Sequence, residues 1–313
     1  MKLEDIAEPI EEATLPFLDR SRLDSAAEAS LTEDQRFWRE QGYLIKRNFL
    51  PPALIDRYVE ARSRHEEWPG QPNAYMDSPE MRDLCLNKGL TEKLKELIGI
   101  EMVLCLVLSG WRSSERNWHQ DAYLVPMSQG GGYSLAVWIA LEEIVPDAGP
   151  FQYVPRSHHW PVVGYEKIRE MLPENERSFP AWPKFSERIL TRIFEKRIKE
   201  EGLQVKEFVP ASKGDILIWH TFLAHRGSVP KNPNLTRRSL IAHYAGVGKR
   251  SCVPPAVQHK DQGRYYPVPY PAIKVTGPPP ASLPRPKWPR LRRWAKKIPG
   301  AERIWRQWKG RPS

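Results

Sequence analysis

The residues best suited to chemistry are His119 and Asp121, in Asn117-Trp118-His119-Gln120-Asp121, and His225, over a hundred residues later in Trp219-His220-Thr221-Phe222-Leu223-Ala224-His225-Arg226-Gly227-Ser228. On a strand, residues two apart project from the same face, so the first imidazole and carboxylate could reach one metal ion. An imidazole from a later strand would complete a 2-His-1-carboxylate set, which takes three corners of an octahedron and leaves three open, as in non-haem Fe(II) oxygenases. The bland alternative is that Asp121 merely orients a histidine or accepts from backbone amides.

The flanking text must supply the elements that hold these side chains. Met102–Ser109 reads as a buried strand before the His-x-Asp pair and Tyr133–Leu141 as another after it. The turn at Gly214-Asp215 launches the apolar strand Ile216–Trp219, and Arg237–Tyr244 is a further strand carrying two arginines. Upstream, Thr32 with Gln35 makes a capping box for a helix through about Glu40, Gly42 stops it, and Tyr43 onward forms a strand. A proline-initiated helix follows at Pro51, and Thr91–Ile98 is a third, ending at Gly99. Residues 161–203 interrupt the strands with a proline-held aromatic loop and a charged amphipathic helix over Ile189–Lys199. This excursion suits a lid or substrate collar, or else a shield for one sheet edge.

At this point the text resembles the phytanoyl-CoA dioxygenase family of Fe(II)/2-oxoglutarate oxygenases. The resemblance rests on Trp118-His119-Gln120-Asp121, Ala136-Val137-Trp138, Gly149-Pro150-Phe151-Gln152-Tyr153-Val154-Pro155-Arg156-Ser157-His158, His225-Arg226-Gly227-Ser228 and Arg237, and covers roughly residues 31–246. The family usually has glycine where Arg156 stands, and Arg226 is an insertion in its His-Gly-Ser pattern. The resemblance implies a mainly β fold with flanking helices, a double-stranded β-helix (jelly roll, cupin-like). It implies Fe(II) on His119, Asp121 and His225, with 2-oxoglutarate and O2 as cosubstrates. The Gly-Ser context selects His225 over His220, which could be a core or supporting histidine.

The far carboxylate of 2-oxoglutarate needs a cation, ideally an arginine fork. Arg237 is the better match, sharing a strand face with Ser239, Ile241 and His243 while Arg238 points the other way; a solvated arginine pair on an edge strand is the alternative. The resemblance places Trp138 beside the cosubstrate, although a tryptophan there could equally be core. Cosubstrate contacts are therefore expected from Arg237, Trp138 and Ser239. Because an aspartate occupies the position that halogenating relatives keep small, hydroxylation is the expected outcome. Expected substrates are an acyl or other lipid-linked group, a membrane glycolipid sugar such as a lipopolysaccharide sugar acid, or a small natural product. The competing class is a non-catalytic jelly-roll protein that binds membrane through its tail.

Composition bounds the remainder. With 313 residues the chain can bury a large core, and its 31 prolines argue against a mostly helical protein. Cys85, Cys105 and Cys252 form no paired spacing, which suits a reducing cytoplasm, and no signal peptide or membrane span is expected at the charged start. The expected layout is an arm over 1–30, an oxygenase domain over 31–250, a proline-rich wrap over 251–280, and a basic tail over 281–313. That tail holds 11 Lys or Arg and one acid, a net +10 that equals the formal charge of the entire chain. Leu291, Trp294 and Ile298 recur at helical spacing among the cations, and Ile304 or Trp305, with Trp308, continues the stripe. Tryptophan among cations suits an interfacial helix on an anionic membrane, peripheral on its cytoplasmic face. Nucleic acid is the less suited polyanion, and docking on the domain itself or on a homo-oligomer partner is the other use.

Overall fold

The computed structural model describes residues 1–10, 28–64, 74–124, 131–179, 182–250 and 255–267. The chain divides into Met1–Lys274 and Val275–Ser313, and the described residues all belong to the first unit. The basic tail, the middle of the N-terminal arm and most of the proline-rich stretch beyond 267 lie outside them.

Helix α1 (Glu33–Gln41) starts where its capping box dictates: Thr32 Oγ1 accepts from the Gln35 amide at 3.2 Å, and Gln35 Oε1 accepts from the Thr32 amide at 2.9 Å. Gly42 ends it at φ 77°, and glycine is required twice over, because a Cβ there would lie 2.3 Å from His158 Nδ1. Strand β1 (Tyr43–Lys46) follows, then α2 (Pro52–Ser63), α3 (Pro79–Cys85) and α4 (Lys88–Ile98). Helix α4 begins three residues before the expected Thr91, because the Asn87 side chain accepts from the Leu90 amide and caps it there.

The strands β2 (Met102–Gly110), β3 (Arg116–His119), β4 (Ser134–Ala140) and β5 (Phe151–Tyr153) come next. The excursion supplies α5 (Tyr165–Glu170), α6 (Glu174–Arg177) and α7 (Pro183–Glu200), the last opening six residues before the expected helix with proline in its first turn. Strands β6 (Lys206–Phe208), β7 (Ile216–His220), β8 (His225–Gly227) and β9 (Ser239–Gly246) close the domain, and a short hairpin, β10 (Val257–Gln258) with β11 (Arg264–Tyr265), follows. This hairpin forms in the stretch expected to be a proline-rich wrap, and its β11 adds to the edge of β2 in parallel.

Seven strands form one sheet in the order β1-β7-β4-β9-β2-β11-β10, and four form a second in the order β3-β8-β5-β6. These sheets correct the expected double-stranded β-helix. The fold is mixed α/β, with two open sheets that do not curl into a closed jelly roll or cupin-like barrel, and no ladder joins one sheet to the other among the described residues. The physical reason is that strand periodicity reports which face is buried and is silent on which edges meet.

Each face of the large sheet has its own core. Leu135, Val137 and Ile139 of β4, Ile216 and Ile218 of β7 and Leu240, Ala242 and Tyr244 of β9 pack with the apolar faces of α2 to α4. The alternate residues Ala136, Trp138, Ala140, Leu217 and Trp219 pack with Phe151, Tyr153 and Phe208 of the small sheet. A site between the sheets is thereby walled on both sides by strands, which hold side chains more rigidly than loops do. Among the described residues no helix is long and apolar enough to cross a membrane.

Candidate metal centre

His119 and His225 are direct cross-strand partners on β3 and β8 of the small sheet, with ring centroids 4.1 Å apart. Asp121 is not on a strand as expected: β3 ends at His119, and Asp121 opens a 3-10 turn, Asp121–Leu124, that returns its carboxylate to the two imidazoles. The ligand atoms of His119, Asp121 and His225 all lie within 4.8 Å of one another, and all three residues are buried.

Hydrogen bonding fixes which atoms converge. His119 Nδ1 is 2.7 Å from the Asn117 carbonyl and His225 Nδ1 is 2.8 Å from the Leu223 carbonyl. A carbonyl can only accept, so each Nδ1 carries the proton and each neutral ring presents a bare Nε2. Those nitrogens lie 3.3 Å (His119) and 3.5 Å (His225) from Asp121 Oδ1, while Asp121 Oδ2 accepts from Trp219 Nε1 at 3.1 Å. His119 Nε2 is buried and has no hydrogen-bond partner among the described residues. Three lone pairs aimed at one point repel each other unless a cation sits among them, so the donor set fits a divalent metal and Fe(II) in particular.

The electrostatics agree. Burial, with the charge of Arg116 beside it, pushes His119 down to about 4, which keeps it neutral at pH 7. Burial alone would raise the Asp121 carboxyl, but the surrounding imidazoles outweigh it and hold the group well below the usual carboxylate range.

His220 does not join the triad. Its side chain faces the helical layer, stands edge-on to Trp38 and accepts from the Phe222 amide at 3.1 Å. Arg237 precedes β9 and is 4% exposed; its Nη1 donates to the Gly149 carbonyl at 2.6 Å, its Nε has no partner, and no carboxylate pairs with it among the described residues. Arg238 turns outward, 3.4 Å from Glu142 and over the Trp111 ring. Ser239 is buried where β9 begins, paired with Ala140 and Gly110, and Trp138 shares that sheet face and meets Phe208 edge-on at 5.5 Å.

Sequence reasoning missed four neighbours of the centre. His243 Nε2 lies 3.8 Å from Asp121 Oδ2, and Trp219 orients the same oxygen. Arg116 Nη1 stands 3.9 Å from Asp121 Oδ1 and pairs with Glu187 of α7 at 2.8 Å. The alternation that places Arg237 inward also carries His243 inward, so that signal was present. Glu187 left no local trace, since its partner is remote in the chain.

Residues 110–239 match the model of the phytanoyl-CoA dioxygenase (PhyH) family. The chain is similar to this family over that segment. Its PhyH region contains His119, Asp121, His225 and Arg237, so the converging donors and the matched segment coincide. With a complete 2-His-1-carboxylate triad, the protein is an Fe(II)/2-oxoglutarate-dependent oxygenase.

Solved structures share the fold. The α-ketoglutarate-dependent carbocyclase SnoK from nogalamycin biosynthesis is 18% identical over 76% of this chain and 97% of its own, with a TM-score of 0.53. The epimerase SnoN, in complex with Fe3+, α-ketoglutarate and nogalamycin RO, is 18% identical over 77% of this chain and 100% of its own, with a TM-score of 0.51. EctD from S. alaskensis, with 2-oxoglutarate and 5-hydroxyectoine, is 15% identical over 90% of this chain and 92% of its own, with a TM-score of 0.53. No curated protein matches the chain.

Proposed function

We propose that the protein hydroxylates an aliphatic C-H of a lipid-linked or acyl substrate, consuming 2-oxoglutarate and O2 and releasing succinate and CO2. The observation that carries the reading is Arg237, a buried guanidinium with no acidic partner among the described residues, two residues before the strand that bears His243 beside Asp121. A buried unpaired cation is costly, and the far carboxylate of a dianionic 2-oxo acid would offset that cost. Fe(II) held by His119, Asp121 and His225 would supply the redox chemistry that couples decarboxylation of the 2-oxo acid to oxidation of a C-H bond.

The chain's own residues do the positioning. Trp219 fixes the outer oxygen of Asp121, so the inner one stays turned toward both imidazoles. Ser239, two residues after Arg237, is buried against Ala140, Trp138 pairs with Ile241 on the neighbouring strand, and the Trp138 indole N-H has no partner among the described residues. Leu106 pairs with His243 and Leu108 with Ile241, so the two leucines continue that face as an apolar stripe, with Leu108 36% exposed. An alkyl chain laid there would reach the centre without placing a polar group against apolar walls.

The tests are a weak visible charge-transfer band on anaerobic addition of Fe(II) and 2-oxoglutarate, and a 16-dalton gain in a lipid extract turned over with succinate formation. The band should vanish in His119→Ala, Asp121→Ala and His225→Ala and survive in His220→Ala, each checked for retained fold. A band lost with His220 and kept without His225 would overturn the ligand assignment. A small natural product is the second reading, favoured because SnoK, SnoN and EctD share the fold. A gain found only among small polar metabolites would select it.

A further inference from the structure

The helical excursion is built into the metal centre by one helix face. Glu187, Thr191 and Glu195 occupy successive turns of α7 and face the two strands that carry the histidines. Thr191 Oγ1 accepts from the Trp118 amide at 3.2 Å. Glu195 lies 3.4 Å from Arg226, which covers the Trp118 ring at 4.7 Å and adjoins His225. Glu187 is 4% exposed, and its Oε1 accepts from Arg116 Nε at 3.0 Å, from Arg116 Nη2 at 2.8 Å and from the Tyr123 hydroxyl at 3.3 Å.

The consequence lies in what Arg116 would otherwise do. Its third nitrogen, Nη1, already stands 3.9 Å from Asp121 Oδ1, the oxygen that faces both imidazoles and that a metal would take. A guanidinium is a competent partner for that oxygen, and contact with it would compete with a metal ion both by charge and by occupying the lone pairs. Two hydrogen bonds to Glu187 keep the fork turned away and match its charge. A carboxylate on α7 thus decides whether a cation on β3 is available to the ligand carboxylate. Neither Tyr123 nor Thr191 can replace it, since neither carries a charge.

We propose that Glu187 is a positioning residue that keeps Arg116 off the inner oxygen of Asp121, so that metal affinity depends on how α7 is seated. This rests on the reading of the triad as a metal centre. The test is titration of the full-length apo-protein with Co(II), followed by visible absorption and by calorimetry. Glu187→Gln, which keeps the shape and removes the charge, should weaken Co(II) binding about tenfold to a hundredfold, the usual range for groups that support a ligand. Adding Arg116→Gln to Glu187→Gln should restore affinity to within about threefold of the parent, because the competing cation is gone. A merely structural loss would be deepened by a second disruption of the same pair, not rescued. Unchanged affinity in Glu187→Gln, or a double variant no better than the single one, would overturn the proposal. Should Glu187→Gln not fold, Arg116→Gln alone decides the matter: affinity equal to or tighter than the parent supports the proposal, and a fall overturns it. A parent protein that takes up no Co(II) would overturn the metal centre itself, an outcome distinct from those.

Discussion

At the scale of single residues, two neighbouring arginines have opposite fates. Arg237 is buried without a carboxylate among the described residues, whereas Arg238 pairs with Glu142 at the surface. Replacing Arg237 by Gln should raise the apparent Michaelis constant for 2-oxoglutarate at least tenfold, in line with about 1.5–3 kcal/mol for a charge-assisted pair, and Arg238→Gln should change it little. Steady-state kinetics with varied 2-oxoglutarate decides, and the reverse ranking would mean that the wrong arginine faces the site. Histidine burial has a consequence for pH. Burial pushes His220 down to about 3, so the unfolded chain takes up its proton near pH 6.5 while the folded chain does not. The stability that neutral His220 contributes is therefore present above about pH 6.5 and is lost as pH falls below it, at up to about 1.4 kcal/mol per pH unit. Melting temperature should drop between pH 7 and pH 5, and His220→Gln should flatten that drop. An equally steep profile in the variant would assign the acid sensitivity elsewhere, His119, His158 and His243 being the other described histidines whose ionisation burial opposes.

At the scale of elements, Arg156 shows a departure in sequence that became a departure in geometry. It stands where the family usually has glycine, and its φ is 70°, in the left-handed region that costs a side-chain-bearing residue roughly 1–2 kcal/mol. Arg156→Gly should raise stability in denaturant melts by about 0.5–1 kcal/mol, the relief being partly offset by the greater freedom of glycine in the unfolded chain. Destabilisation instead would show that the arginine side chain repays its backbone strain. The same contrast between local and remote information explains what could be read beforehand. The capping box of α1, the strands β2, β4 and β7 and the pair His119 and Asp121 were legible, because caps, alternation and short spacing are properties of a few consecutive residues. Asp121 reached the site by a 3-10 turn, not by strand alternation, since a strand's end depends on where its partner β8 stops. The opening of the sheets and the Arg116–Glu187 pair were not legible, because edges and contacts between distant segments are set by the packing of the whole domain.

At the scale of the whole molecule, the charge distribution sets the last expectation. Residues 281–313 carry a net +10, so residues 1–280 sum to zero, and the enzyme domain itself has no electrostatic reason to approach a polyanion. The tail also holds Trp288, Trp294, Trp305 and Trp308, and a merely solubilising segment has no need of four tryptophans. Both ingredients are used by a helix lying in a headgroup layer, where each Lys or Arg contributes roughly 1 kcal/mol within a Debye length of the surface. We propose that this tail brings the oxygenase to an anionic membrane and takes no part in its chemistry. Deleting 281–313 should abolish sedimentation with vesicles containing anionic lipid while leaving uncoupled 2-oxoglutarate turnover nearly intact. It should lower activity only on a membrane-borne substrate. Binding by the full chain should weaken as salt rises and be small on zwitterionic vesicles. A truncated protein that sediments as well as the full chain would overturn the proposal, and one that changes its oligomeric state or no longer folds would assign the tail to docking on protein, because a segment that only meets lipid contributes nothing to the domain's own core.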